Sequence, residues 1–168
     1  MNRKLLEIVV GTVIFFVVWN KMSDTVTTSN EGRAITYSSY INVDGNVVSL
    51  DKFKGGYVWA DYAAEWCSYC TPQTQTIKSL DRKIGDKILF ITVVTGTHEV
   101  MQPPTAESAK NWATRFNLDP EKVVAKFSTD TLPYHVLYSP TGDILYQGSG
   151  LYSESRITEI IKSHTPVL

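Results

Sequence analysis

Two cysteines, three positions apart, constrain this chain more than any other feature of its sequence. Cys67 and Cys70 are the only cysteines among 168 residues, so they form either a redox pair or half of a metal site. The segment Val58 to Tyr62 is typical of a buried strand, and Cys67 follows where that strand would pass into a helix. Unpaired N–H groups and the macrodipole at a helix N-terminus favour a thiolate. This position therefore favours a redox pair.

Composition and charge indicate one globular domain with a short extension. The chain is 43% hydrophobic, which is enough for a real core, and its formal net charge is -1. Lysines and arginines form no clustered run, so no nucleic-acid partner is expected.

An apolar stretch flanked by basic residues lies near the N-terminus. Arg3 and Lys4 precede Leu5 to Trp19, and Lys21 follows. A helix over residues 5–20 would be about 24 Å long, against about 30 Å of bilayer hydrocarbon. Because the lysine side chains can reach the two interfaces, we predict that this segment contacts the membrane.

We interpret residues 1–22 as an uncleaved signal anchor, with the basic residues inside the cell and the remaining chain outside. A cleaved signal peptide is the alternative, although residues 20–30 contain no convincing A-x-A-like cleavage site. A buried core helix is a third interpretation, which the polar sequence that follows disfavours. Residues 23–36 are expected to be a flexible linker, and residues 37–168 a folded domain on the periplasmic or extracytoplasmic side of the cell (inner) membrane.

The folded domain is expected to alternate strands and helices. Asp44-Gly45-Asn46 is a hairpin signal, because Gly and Asn tolerate positive φ. The predicted elements, in order, are strands at Tyr40–Val43, Val47–Leu50 and Tyr57–Tyr62, a helix from Cys67 to Ile84, a strand at Ile88–Val94, a helix capped by Thr105, a short helix opened by Asp119 and Pro120, strands at Tyr134–Tyr138 and Ile144–Gly148, and a helix capped by Ser153. This order predicts an α/β fold with a central mixed sheet and helices on both faces.

Two local details are also predicted. Asp51 offers an N-cap for a short turn through Phe53. Val123, Val124 and Phe127 are expected to point inward from the short helix opened by the Asp-Pro pair.

Four segments resemble the thioredoxin superfamily. The segment Asp61 to Cys70 resembles its active-site segment, including an acidic residue six positions before the first cysteine. Thr131-Leu132-Pro133 is similar to its cis-proline loop, and Ser139-Pro140-Thr141-Gly142 to the hairpin of its closing strands. The segment Val43 to Gly55 is similar to the N-terminal hairpin of the membrane-tethered TlpA/ResA type. The resemblance covers residues 37–163 and implies a thioredoxin-like fold, with a central mixed β-sheet flanked by helices and an added N-terminal β-hairpin.

The chain departs from the family pattern at several positions. Thr71 and Gln75 stand where the family usually has a basic residue and a proline, and Tyr134 stands where a small or hydroxyl residue is more usual. Pro72 comes earlier than the family's proline. If Cys67 is the N-cap of the helix, Pro72 lies just past the positions where a missing N–H costs nothing, which predicts a local kink.

Disulfide exchange needs an attacking thiolate, a second thiol that resolves the mixed disulfide, and a base. Positions three apart share a helix face, so we expect Cys67 to be the nucleophile at an exposed helix tip and Cys70 to be buried beneath it. Asp61 is the candidate base, because desolvation in an apolar strand raises the pKa of a carboxyl group. The resemblance implies the same role. Glu65 competes for it, and a purely structural Asp61, bonded to nearby backbone, is the alternative.

Three residues are predicted to bind the substrate. Trp66 is expected to flank the nucleophile within a flat apolar docking surface, or else to be an ordinary partly buried aromatic. The resemblance implies a cis peptide bond at Pro133, which would aim the backbone of Leu132 at an extended peptide.

Metal and cofactor sites are not expected. The histidines, His98, His135 and His164, lie in no recognisable motif and are expected to be surface or hydrogen-bonded residues. A closed zinc site would need two further ligands from distant positions. The residue after Cys70 is not histidine, so the pair is not a haem-attachment motif.

The leading hypothesis is an extracytoplasmic thiol–disulfide oxidoreductase that acts on protein thiols or disulfides through Cys67 and Cys70. The resemblance favours reduction, and a reductase in an oxidising compartment needs a membrane electron donor, as an oxidase would need an acceptor. One alternative is a module that binds copper or another soft metal, which the absence of Met and His from the motif disfavours. The other is a tethered scaffold whose disulfide is structural.

Overall fold

The computed structural model describes residues 40–96, 102–128 and 130–168. The predicted signal anchor, residues 1–22, and the predicted linker, residues 23–36, lie outside the described residues, as does His98. In the three described ranges, no helix is both long enough and apolar enough to cross a membrane.

Seven strands form one mixed sheet in the spatial order β2-β1-β5-β4-β3-β6-β7. The strands are β1 (Tyr40–Asn42), β2 (Val47–Val48), β3 (Val58–Ala63), β4 (Leu89–Val94), β5 (Val123–Ala125), β6 (Tyr134–Tyr138) and β7 (Ile144–Ser149). Strands β3, β4 and β5 are parallel, and the other pairs are antiparallel. The predicted mixed sheet is confirmed, and so is the N-terminal hairpin β1–β2, whose turn places Gly45 at a φ of 86°.

Three α-helices pack on one face of this sheet: α1 (Cys70–Ile84), α2 (Ala106–Phe116) and α3 (Glu154–His164). Their buried side chains join those of Trp59 and Ala63 on alternate positions of β3. On the opposite face, the 3-10 helix Leu50–Phe53 packs against the buried cluster that includes Val58, Ala60 and Tyr62 of β3. Among the described residues no α-helix covers that face, so there the expectation of helices on both faces is met only by the 3-10 helix. Both parallel crossovers step in the same direction along the sheet, and right-handed crossovers that do so place their helices on one side.

The helix ends follow the sequence closely. The Thr105 hydroxyl accepts a hydrogen bond from the Ser108 N–H at 3.2 Å, and the Ser108 hydroxyl accepts one from the Thr105 N–H at 3.1 Å, which closes a capping box at the start of α2. The Ser153 hydroxyl accepts from the Arg156 N–H at 3.2 Å and caps α3. Both predicted N-caps are confirmed.

The short helix after Asp119 is shorter than predicted. It spans only Pro120–Lys122, and Val123–Ala125 then forms strand β5 between β1 and β4. The interpretation of Val123 and Val124 as helical is therefore wrong. Their branched side chains fit a strand buried on both faces, and the parallel pairing with β4 satisfies their backbone groups.

The turn after β2 is capped by a different residue from the one predicted. The Ser49 hydroxyl accepts from the Asp51 N–H at 3.1 Å, so the N-cap of the 3-10 helix is Ser49. Asp51 instead forms an ion pair with Lys54 at 2.6 Å. The helix begins at Leu50, and the cap is by definition the residue before the first helical one.

Candidate active site

Cys67 and Cys70 are joined by a disulfide at the junction between β3 and α1. Their Cα atoms are 5.3 Å apart, and the backbone N–H of Cys70 donates to the carbonyl of Cys67 at 3.1 Å. Both side chains belong to a buried cluster that includes Ala63 and Val94, the last residues of β3 and β4. The disulfide therefore lies at the carboxyl ends of two parallel central strands.

Pro72 determines where the cysteine-bearing helix begins. Helix α1 starts at Cys70, three residues later than predicted, and Tyr69 is its N-cap. A proline cannot donate to the carbonyl four residues earlier, so Pro72 is tolerated only among the first three helical positions. It occupies the third, and Gln73 donates the first intrahelical bond, to Tyr69 at 3.2 Å. With this start, the reason to expect a kink at Pro72 disappears.

The two cysteines differ in access to solvent in this oxidised state. Cys67 is 6% exposed and Cys70 is fully buried. Cys67 is slightly less buried than Cys70, but the expectation that it is exposed at a helix tip is wrong. Its side chain belongs to the buried core, and it lies in the turn before α1 rather than on the helix. Its backbone N–H donates to the carbonyl of Ala64 at 3.0 Å.

Two exposed aromatic side chains flank Cys67 along the chain. Trp66 is 41% exposed and Tyr69 is 64% exposed. A Cβ atom on Gly96 would come within 3.0 Å of the Trp66 ring nitrogen, so the indole lies directly against the backbone that follows β4. The docking role of Trp66 stays a prediction, and Tyr69 is an additional candidate that the sequence analysis did not consider.

The Leu132–Pro133 peptide bond is cis, as the resemblance implied. Leu132 is partly buried and packs against the cluster that contains both cysteines. The carbonyl of Pro133 accepts a hydrogen bond from the Gly150 N–H at 2.8 Å. The structure thus places Leu132 at the edge of the cluster that contains both cysteines, and the proposed contact of Leu132 and Pro133 with a substrate stays a prediction.

Asp61 lies in the middle of β3 and is fully buried. Burial raises the pKa of its carboxyl group, and His135 partly offsets this effect by lowering it. Side chains two positions apart in a strand lie on the same face of the sheet. Trp59 and Ala63 pack against the helices, so Asp61, which lies between them, is on the helix-covered face as well. Glu65, the competing candidate, is partly exposed in the turn after β3.

His135 is the residue that the sequence analysis missed. It is fully buried in β6 and pairs with Asp61 across the antiparallel ladder, with 3.1 Å between Nδ1 and Oδ1. Within the described part of the chain no backbone group bonds to either Asp61 oxygen, so the backbone alternative for Asp61 is wrong. The sequence did contain a signal for this position. His135 and Leu137 are two positions apart in β6, so their side chains lie on the same, core-facing side of the strand.

Hydrogen bonds and a ring contact together connect His135 to the cysteine-bearing helix. His135 Nε2 lies 3.0 Å from the Gly150 carbonyl oxygen, and its ring centre is 4.5 Å from that of Tyr152. The Tyr152 N–H donates to the Gln73 side chain at 2.7 Å. Gln73 lies one turn after Cys70, so these contacts reach from His135 to the first turn of α1.

The described ranges contain no group of three or more His, Cys, Asp or Glu side chains placed to hold a metal ion.

The chain has a thioredoxin-like fold, and a disulfide joins the two cysteines of its C-x-x-C motif. The structure is similar to the exposed lipoprotein thioredoxin of Streptococcus pneumoniae, with a TM-score of 0.57 and 21% identity over 74% of this chain and 97% of the other. It is also similar to a thiol:disulfide interchange protein of the thioredoxin family from Chlorobium tepidum, with a TM-score of 0.57 and 15% identity over 75% and 91% of the two chains. A thioredoxin-like protein from Aeropyrum pernix gives a TM-score of 0.58 and 22% identity over 74% and 88%.

Neither the family models nor the curated proteins include a match to this chain. At identities of this size, the structural similarities establish the fold. The activity is therefore argued from the site itself.

Proposed function

We propose that this protein is a thiol–disulfide oxidoreductase that acts on protein thiols and disulfides. The observation that carries the proposal is the Cys67–Cys70 disulfide at the start of α1, where Cys70 is fully buried and Cys67, 6% exposed, follows the exposed Trp66 directly in the chain. A structural disulfide would need neither this asymmetry nor a buried carboxyl group on the same face of the sheet. Solved proteins of this fold include one named as a thiol:disulfide interchange protein, which is consistent with the proposal.

The reaction proceeds through a mixed disulfide. The thiolate of Cys67 attacks a client disulfide, forming a bond to one client sulfur while the other leaves as a thiolate that takes a proton from solvent. Cys70 then loses its proton, its sulfur attacks Cys67, and the second client sulfur leaves as a thiolate that also takes a proton from solvent. The client gains two electrons and becomes a dithiol, and the protein becomes the disulfide form described above. Asp61 is the base for the Cys70 proton.

We further propose that the protein is a reductase of the TlpA/ResA type, tethered to the cell membrane with its domain outside the cytoplasm. The support is the basic and apolar pattern around residues 5–20 and the N-terminal hairpin β1–β2. Reduction in an oxidising compartment consumes electrons, so a membrane thiol donor would have to regenerate the dithiol. The copper and scaffold alternatives have no specific observation in their favour.

The test uses the purified full-length chain, reduced and then mixed with one equivalent of dithiobis(nitrobenzoate), whose thiolate product is coloured. The wild type should release the thiolate in two phases, the first from attack by Cys67 and the second from attack by Cys70. Cys67→Ser should lose both phases, and Cys70→Ser should release only the first product and keep a mixed disulfide. An inert wild type, or one whose release does not depend on Cys67, overturns the proposal.

The direction of electron flow is tested separately, by the reduction potential of the Cys67/Cys70 couple. A value near about -270 mV, as in thioredoxin, supports a reductase, whereas one near about -120 mV, as in DsbA, indicates an oxidant. Membrane flotation of the full chain, with protease protection of the domain, tests the tether and its side.

A further inference from the structure

Asp61 and His135 form an isolated pair of titratable groups inside the sheet. Both side chains are fully buried, and Asp61 Oδ1 lies 3.1 Å from His135 Nδ1. The other ring nitrogen, Nε2, lies 3.0 Å from the carbonyl oxygen of Gly150. Nε2 is therefore hydrogen-bonded and Nδ1 faces the carboxyl group, and each contact limits where the ring's hydrogens can be.

The contact with Gly150 determines whether Nε2 carries a hydrogen. A carbonyl oxygen can only accept, so Nε2 must carry a hydrogen to bond it. A neutral ring then has a bare lone pair at Nδ1, facing a carboxylate oxygen that is also an acceptor. Two acceptors in contact in a buried site are unfavourable. One additional proton held by the pair removes the conflict, because the two atoms 3.1 Å apart are then no longer both bare acceptors.

We propose that His135 is a positioning residue that shares one proton with Asp61, and that this sharing keeps the Asp61 carboxylate able to accept the Cys70 proton near neutral pH. The inference rests on the proposed oxidoreductase function. The imidazolium form of His135 supplies a positive charge where burial alone would neutralise the carboxylate. The direction in which His135 acts on Asp61, opposite to burial, agrees with this role.

Among the described residues, few other titratable side chains lie near the pair on the elements packed around it. On the same sheet face, β4 contributes Thr92, which does not titrate, and α3 contributes apolar isoleucines. Helix α1 contributes the Cys70 thiol, now in the disulfide, and β7 contributes the Tyr146 hydroxyl, 2.8 Å from that of Tyr152. Burial and the Tyr146 hydroxyl raise the pKa of Tyr152 to about 12, so it stays neutral. His164 packs on the ring of Tyr146, with centroids 5.7 Å apart, and its Nδ1 lies 2.8 Å from the Ile160 carbonyl oxygen.

The role of the Asp61–His135 pair follows from where the Cys70 proton goes during the exchange. When Cys70 attacks Cys67, its thiol proton moves to Asp61, the new sulfur–sulfur bond forms, and the client leaves with the electron pair of the broken bond. The pair then holds one proton more than before the step. It returns this proton to Cys70 when a dithiol donor reduces the disulfide.

The decisive experiment isolates the Cys70 step. The two-phase reaction with dithiobis(nitrobenzoate) is followed from pH 5 to pH 9 with full-length wild type and His135→Gln. Gln keeps a polar side chain but cannot bind a proton. The first phase should be unchanged, while the midpoint of the second phase rises by about one pH unit, which gives roughly a tenfold lower rate at pH 7. His164→Gln, which removes an exposed imidazole from α3, should leave both phases unchanged.

An unchanged second-phase midpoint in folded His135→Gln overturns the inference while leaving the oxidoreductase function intact. Absence of Cys67-dependent release overturns the function instead. Should His135→Gln not fold, nitrogen NMR of the oxidised wild type decides: a proton at or shared by Nδ1, lost in Asp61→Asn, supports the inference. A bare Nδ1 that is identical in both proteins overturns it.

Discussion

The side-chain oxygen of Gln73 accepts a hydrogen bond from the backbone N–H of Tyr152, with 2.7 Å between the two atoms. This bond joins the first turn of the cysteine-bearing helix to the loop before α3. Gln73 is fully buried, although it has a polar side chain, and its neighbour in the helix, Thr74, is buried too. The loop that receives this bond also supplies the Gly150 carbonyl that holds His135. The bond therefore ties the cysteine-bearing helix to the loop whose Gly150 carbonyl contacts His135.

Replacing Gln73 with leucine should lower the free energy of unfolding by about 1–3 kcal/mol, because the Tyr152 N–H loses its acceptor in a buried site. Urea unfolding of the oxidised protein measures this difference. Gln75→Leu is the matched control, since Gln75 is exposed on the same helix, and it should change stability by less than about 0.5 kcal/mol. Equal effects at the two positions contradict the assignment.

Pro72 should be nearly neutral for stability despite its place inside the helix. Because it occupies the third helical position, Pro72→Ala restores an N–H that has no helical acceptor, and we expect a change below about 1 kcal/mol. Thr76→Pro, one turn further on, should cost about 3 kcal/mol or more. Thermal unfolding of both variants compares them. A large loss in Pro72→Ala would mean that the helix does not begin at Cys70.

The elements with strong local signals were predictable. The hairpin turns have Gly at the positions that need positive φ, and the faces of α1 and α3 repeat apolar residues at helical spacing, with Ile77, Leu80 and Ile157 all buried. The capping residues Thr105 and Ser153 mark their helices correctly. These features depend on residues close together in the sequence, so no tertiary information was needed.

The features that were missed depend on contacts between distant residues. Val123–Ala125 is too short to show a period, and only its position between β1 and β4 makes it a strand. Likewise, His135 has an ordinary strand context, and its significance appears only when the antiparallel register sets it opposite Asp61, 74 positions away. Sequence patterns therefore located the cysteines and the carboxyl group, and the register supplied the partner of that carboxyl group.

Asp61 should make the oxidised protein less stable as the pH rises. Because burial raises the pKa of its carboxyl group, the folded state binds this proton more tightly than the unfolded state does. The resulting stabilisation is complete below the unfolded pKa of about 3.9 and is lost as the pH rises through the folded value. Asp61→Asn does not titrate, so its stability relative to the wild type should increase with pH.

Urea unfolding of the oxidised wild type and Asp61→Asn at several pH values from acid to neutral measures this relation. Asp44→Asn, in the exposed turn of the first hairpin, is the control and should show a difference that hardly depends on pH. A constant difference between Asp61→Asn and the wild type would contradict the effect of burial on Asp61.

The exposed aromatic pair, Trp66 and Tyr69, should contribute to the recognition of protein clients rather than to sulfur chemistry. Both side chains flank Cys67 and are exposed without a described partner element to cover them, so a client chain can bury them on docking. Aromatic anchors of this kind contribute about 1 kcal/mol or more, so each alanine variant should lower kcat/KM for insulin disulfides by about fivefold. Rates with dithiobis(nitrobenzoate) should stay within about twofold of the wild type, since a small disulfide needs no docking surface. Ile144→Ala, which truncates an exposed apolar residue on edge strand β7, is the control and should alter neither rate. A parallel loss with both substrates would place the aromatic pair in the reaction itself.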